Sequence, residues 1–117
     1  MDEKLGDDDG QRGDDPDDGR AMKDDDVMDK LFAVIESRKN ELPEGSYTTS
    51  LFTHEKGENA VLEKLGEETT ELILAAKDDD HEELAHEAAD IVYHLLVLLS
   101  MKGMELEDLR GELRKRR

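Results

Sequence analysis

From Val27 onward, apolar residues recur three and four positions apart, and no stretch alternates as a strand would. That period belongs to amphipathic helices, and the breaks in it predict about four of them. Leu31, Val34 and Ile35, with the neighbouring Phe32, give an apolar side to a first helix from about Val27 to Lys39. Asp24 to Asp26 place negative charge at its start, and Asn40 to Gly45, with Pro43 and Gly45, break it. Ser46 to Phe52 reads as a connector, too short and irregular for a strand. A second helix follows Gly57, from about Glu58 to Lys77. Asp78-Asp79-Asp80 marks a turn and caps a third helix, from about His81 to Lys102. Gly103 ends it. A short fourth runs from about Glu105 to Arg114, and the basic Arg114 to Arg117 suit a helix C-terminus.

The faces of these helices differ. On the second, Leu62, Leu65, Thr69, Leu72, Ile73 and Ala76 share a mostly apolar face that Glu68 borders, with Lys64, Glu71 and Ala75 just beyond and Leu74 on the far side. The third is apolar around its whole circumference from Ile91 to Met101, and a helix of that kind is surrounded by protein. In so small a domain the extra cover comes from another subunit. The pattern therefore predicts an all-α helical bundle of about four helices, completed by a homodimer or a higher homo-oligomer.

Composition adds further limits. At 117 residues the chain holds at most one domain. Residues 1–26 are low-complexity and Asp-rich, broken by glycines and Pro16, and are expected to form a disordered acidic tail ahead of a domain at 27–117. The formal net charge of −17 argues against nucleic acid, whose phosphates would be repelled. So acidic a surface with so few aromatics resembles proteins of a high-salt, halophilic cytoplasm, where salt screens the self-repulsion. There is no cysteine, so thiolate metal sites are excluded. The N-terminus lacks a signal peptide's apolar core, and the run Ile91 to Met101 is too short to cross a bilayer. A soluble, cytoplasmic protein with no membrane partner is expected.

The chemistry concentrates in two acidic pairs one helix apart, Glu67-Glu68-Thr69-Thr70-Glu71 and Glu87-Ala88-Ala89-Asp90. Residues three or four apart share a helix face, so each pair aims two carboxylates the same way. If the two helices lie side by side, Glu68, Glu71, Glu87 and Asp90 converge, and a hard divalent cation such as Mg²⁺ is the natural counter-charge. Mg²⁺ takes oxygen ligands, keeps waters and binds phosphates, which suggests metal-assisted phosphate chemistry. Glu67 points away from the Glu68 side and is the positional candidate to take a proton from the attacking water. Set against this, Glu-x-x-Glu in an acidic helix usually means a solvated face. The second pair is the more specific, because it leads into a core-like helix. His94, on the stripe of Glu87 and Asp90, is by type more often a hydrogen-bonded core residue than a ligand, and could orient Asp90. Lys64 either pairs with Glu68 at i,i+4 or meets a substrate phosphate, and Lys77 carries the same ambiguity.

These residues resemble a known family. The two acidic pairs resemble the metal signature of the all-α, MazG-like nucleotide pyrophosphohydrolases. Adding Gly45-Ser46-Tyr47-Thr48, Leu51-Phe52, Leu62-x-Lys64-Leu65-Gly66-Glu67-Glu68 and Asp90-Ile91-Val92-Tyr93-His94 makes about Val27 to Leu113 similar to the phosphoribosyl-ATP pyrophosphohydrolase family. The long Asp-rich N-terminus departs from it. The resemblance implies Mg²⁺-dependent hydrolysis of phosphoribosyl-ATP to phosphoribosyl-AMP and pyrophosphate, in the second step of histidine biosynthesis, by an obligate helical oligomer, usually a dimer. It implies Glu68, Glu71, Glu87 and Asp90 as metal ligands, with Glu67 as auxiliary acid or base. Lys64, Lys77 and His94 are carried over as substrate contacts, and Ser46, Tyr47 and Thr48 as residues that help close the substrate site. Two alternatives are a house-cleaning nucleoside triphosphate pyrophosphohydrolase with the same metal cluster, and a non-catalytic helical oligomerisation module.

Overall fold

The structure, a computed structural model, describes residues 27–117. The acidic run 1–26, with its expected disorder and the Asp24 to Asp26 charge, lies outside the described residues. Five helices follow in order, α1 Val27–Glu41, α2 Tyr47–Phe52, α3 Glu58–Lys77, α4 His81–Met101 and α5 Leu106–Arg114. No strand occurs among the described residues, so the all-α expectation holds. The chain divides into two compact units between Ser50 and Leu51, inside α2.

The segment read as an irregular connector contains a helix. Gly45 turns the chain at φ +84°, a conformation that strains a side chain. The next residue, Ser46, accepts the Thr49 N–H on its Oγ at 3.1 Å, which is an N-cap bond. Tyr47, Thr48 and Thr49 are weak helix formers, which hid the helix from propensity, but Thr48 and Thr49 are buried and context overrides.

In the unit from Leu51 on, α3 and α4 form an antiparallel hairpin. At the end of α3 the N–H groups of Asp79 and Asp80 reach back to Ala76 O at 3.1 Å and Ala75 O at 3.0 Å. This stop needs a left-handed residue, and Asp79 takes φ +55°. Asp80 also opens the next helix, its carboxylate accepting the Glu83 N–H at 3.1 Å. At the other end Lys102 Nζ stands 2.9 Å from Glu58 Oε1, so the helices are paired over their full length. Gly103, at φ +73°, closes α4 in the same left-handed way. On α5, Glu105 and Asp108 form a reciprocal capping box.

The inward stripe of α3 is Val61, Leu65, Glu68, Leu72 and Ala75, spaced alternately by four and three. It meets α4 where Glu68 Oε1 lies 2.8 Å from His94 Nδ1, and Tyr93, Leu96 and Val97 are buried on α4 beside that histidine. The predicted face was turned differently. Leu62 is 42% exposed and Ile73 54%, and Thr69 and Ala76 are exposed too. Glu68, assigned to the border, lies in the middle of the inward face because a buried partner accommodates it. On α4, Ile91, Val92, Leu95, Leu98 and Leu99 are only half-buried in the single chain.

By length and composition α4 could cross a bilayer, since the helix containing Ile91 to Met101 has 21 residues. Its buried Glu87 and His94, and the carboxylates Glu83 and Asp90, fit a core helix better.

Candidate metal centre

The site is built on the α3–α4 hairpin around Glu87. This side chain is 4% exposed, and its Oε1 has no hydrogen-bond partner. Glu83 precedes it by one helical turn, and Glu71 approaches from α3. One oxygen from each of Glu71, Glu83 and Glu87 lies within 4.8 Å of the other two. None of the three is ion-paired with a basic side chain among the described residues. Burial first, then hydrogen bonding to Glu83 and Glu71 and their negative charge, pushes the Glu87 carboxyl up to about 7. A buried carboxyl crowded by two others is a site short of positive charge.

Glu87 also belongs to a second group. His86, Glu87 and Asp90 each offer a ligand atom within 4.8 Å of the others. His86 Nε2 is 3.4 Å from Asp90 Oδ2, one turn along the helix. The first group offers only oxygen, the second oxygen and nitrogen.

Glu68 is held differently. It is buried, and its Oε1 lies 2.8 Å from Nδ1 of the fully buried His94. The same nitrogen is 3.0 Å from the Asp90 carbonyl oxygen. Two acceptors around one ring nitrogen place the proton on Nδ1, which donates to both. Burial raises the Glu68 carboxyl above its ordinary value, with His94 opposing the rise and Asp90 adding to it. The Tyr93 ring packs edge-on to His94 with centroids 4.9 Å apart.

The structure thus joins Glu71 to Glu87, and Glu87 to Asp90, while Glu68 is bonded to His94. Glu83 and His86 were not singled out from sequence as members of the site. The signal was there: each stands four residues before a residue already chosen, Glu87 and Asp90. Glu67 lies outside the cluster, 65% exposed, with Lys64 Nζ 3.8 Å away. Lys64 therefore pairs at i,i+3 with Glu67, not at i,i+4 with Glu68. Lys77 is exposed in the last turn of α3. Ser46 caps α2, Tyr47 is half-buried and Thr48 buried, all three in the other compact unit.

A cavity of about 330 Å³ lies at the start of α4, lined by Asp80, Glu82, Glu83 and His86. Glu83 and His86 link it to the carboxylates. The residues fit a hard divalent cation. They supply oxygen donors, a buried oxygen without a partner, and uncompensated negative charge beside open space.

Residues 28–117 match the family described as phosphoribosyl-ATP pyrophosphohydrolase. Among the relatives that carry the name phosphoribosyl-ATP pyrophosphatase are three from different organisms. The protein of Haloarcula marismortui is 82% identical over 98 residues, 82% of this chain and 100% of the relative. That of Natronomonas pharaonis is 87% identical over 93 residues, 80% of this chain and 92% of the relative. That of Clostridium acetobutylicum is 53% identical over 95 residues, covering 81% and 84%.

Proposed function

The chain belongs to the phosphoribosyl-ATP pyrophosphohydrolase family, and from that premise we propose that Glu68, Glu71, Glu87 and Asp90 hold a divalent cation, Mg²⁺, at its active site. The reaction is hydrolysis of phosphoribosyl-ATP to phosphoribosyl-AMP and pyrophosphate, the second step of histidine biosynthesis. A water oxygen bonds to phosphorus and the phosphoanhydride oxygen leaves with pyrophosphate. When bound, the cation supplies positive charge to phosphate oxygens and makes the water a better nucleophile.

This chain's residues have distinct tasks in that reaction. Glu87, buried and without a hydrogen-bond partner on Oε1, anchors the cation from the hairpin core, and this observation carries the reading. Glu71 and Asp90 flank it on α3 and α4. His94 is fully buried, so it serves the site through its Nδ1–H bond to Glu68 rather than by touching substrate. Glu67, solvent-facing beside Glu68, accepts the proton released by the attacking water. Lys64 and Lys77, both on α3, meet substrate phosphate. Placement of groups and neutralisation of charge account for most of the catalysis. The chain works in the cytoplasm as a homodimer or higher homo-oligomer. Its support is the half-buried circumference of α4 with Leu62, Ile73 and Leu74 exposed on α3.

The test is release of pyrophosphate from phosphoribosyl-ATP by the full chain at molar KCl, with and without Mg²⁺, beside the ordinary nucleoside triphosphates. Turnover of phosphoribosyl-ATP that vanishes with chelator and falls at least a hundredfold in Glu87→Gln is expected (roughly the loss of a site's main electrostatic element). Preference for a nucleoside triphosphate would instead give the house-cleaning activity. Equal turnover in chelator would remove the cation.

A further inference from the structure

The proposed ligands Glu68, Glu71, Glu87 and Asp90 all come from the two acidic pairs, but the oxygens gathered around the buried Glu87 include one from outside them. We propose that Glu83 is a ligand of the cation site, acting with Glu71 and Glu87. The proposal rests on the reading that a divalent cation binds this cluster.

Its first support is position. Glu83 stands one turn before Glu87 on α4, so the helix itself sets their spacing, and Glu71 faces both from α3. The three place an oxygen each within 4.8 Å of one another. The second support is the state of Glu87. Its Oε1 is buried without a hydrogen-bond partner. Glu71 and Glu83 cannot supply one while ionised, because carboxylates only accept. Three ionised groups this close need either a proton or a cation between them. The third support is access. Glu83 is exposed and lines the cavity of about 330 Å³, so a cation it holds keeps room for waters and for a substrate phosphate. Its backbone N–H already donates to the Asp80 carboxylate, at 3.1 Å, and its side chain is left for the site. The adjacent Glu82 lines the same cavity and belongs to neither ligand group, which makes it a natural control.

Calorimetric titration of the full chain with Mn²⁺ at molar KCl tests this, with Glu83→Gln, Glu82→Gln, Glu71→Gln and Glu87→Gln compared. Glu83→Gln should weaken Mn²⁺ binding about tenfold or more, since affinity follows the charge count of the ligands. Glu82→Gln should stay within about twofold, as an exposed charge outside the ligand set. A second readout separates ligation from mere support of the fold. In chelator, Glu83→Gln should raise the Tm, because it removes a negative charge beside Glu87, and it should shrink the Tm gain on adding Mn²⁺. A structural role would lower the Tm in both conditions. Mn²⁺ binding by Glu83→Gln equal to that by Glu82→Gln would overturn the proposal while Glu71→Gln and Glu87→Gln still lose it. If those two also bind Mn²⁺ normally, the cation site itself falls.

Discussion

At the scale of single residues, two buried carboxylates dominate, and each has its own solution. Glu87 is surrounded by other acids and is pushed up to about 7, by burial first. The sign of its effect on stability follows. Between the ordinary value of 4.5 and about 7, the folded chain holds a proton that the unfolded chain has lost. The contribution of Glu87 to the stability of the metal-free protein is therefore full below that window and is lost as pH rises through it. The proposed cation would bind the ionised form and replace the proton, so stabilisation by saturating Mg²⁺ should grow from pH 5 to pH 7 and level off above (about tenfold in affinity per pH unit while one proton is displaced). Denaturation midpoints in chelator and in Mg²⁺, at fixed KCl, measure both, and parallel pH profiles would contradict the assignment. Glu68 has His94 instead. Replacing His94 by Leu strands a buried carboxylate and should cost roughly 3 kcal/mol. His94→Gln, which keeps a donor, should recover more than half of that in chemical denaturation. A loss as large in Gln as in Leu would mean that packing, not the hydrogen bond, sets the cost.

At the scale of elements, the hairpin turn decides how the carboxylates meet. Asp79 stops α3 in the left-handed region at φ +55°, where a side chain is strained. Asp80 both finishes that stop and caps α4. Asp79→Gly should be neutral or stabilising by up to about 1 kcal/mol. Asp80→Ala should cost about 1 kcal/mol through the lost cap. The two together, measured by thermal melts, distinguish backbone strain from capping. A drop of equal size in both would show instead that the charge run matters more than either geometry. The same element scale explains what sequence showed and what it hid. Helix ends were legible because Gly103 and Asp80 are caps with local mechanisms. The α2 helix was hidden because its cap, Ser46, precedes residues of poor propensity whose burial sustains it.

At the scale of the molecule, the apolar surface exposed on the hairpin is what the proposed oligomer would cover. Leu62 and Ile73 share a mostly apolar face in the sequence, yet they are exposed in one chain. The proposed oligomer would bury both. Leu62→Glu with Ile73→Glu should halve the mass seen by light scattering at high salt while helical circular dichroism is retained. An unchanged mass would place the subunit contact elsewhere. The charge of −17 belongs to this scale too, because it makes molar salt the proper medium for every such measurement.

Local pattern alone determined the four longer helices, the Asp80 and Gly103 caps and the presence of paired carboxylates, because each depends on neighbours within one or two turns. The resemblance to a family was likewise legible, since it rests on short motifs at fixed spacing. Which face of α3 turns inward, the Glu68–His94 bond and the joining of Glu83 to Glu71 and Glu87 were decided only in the tertiary structure. Each needs the rotation and offset of one helix against another, which come from packing across the hairpin, and a helical wheel carries no information about the partner it will meet.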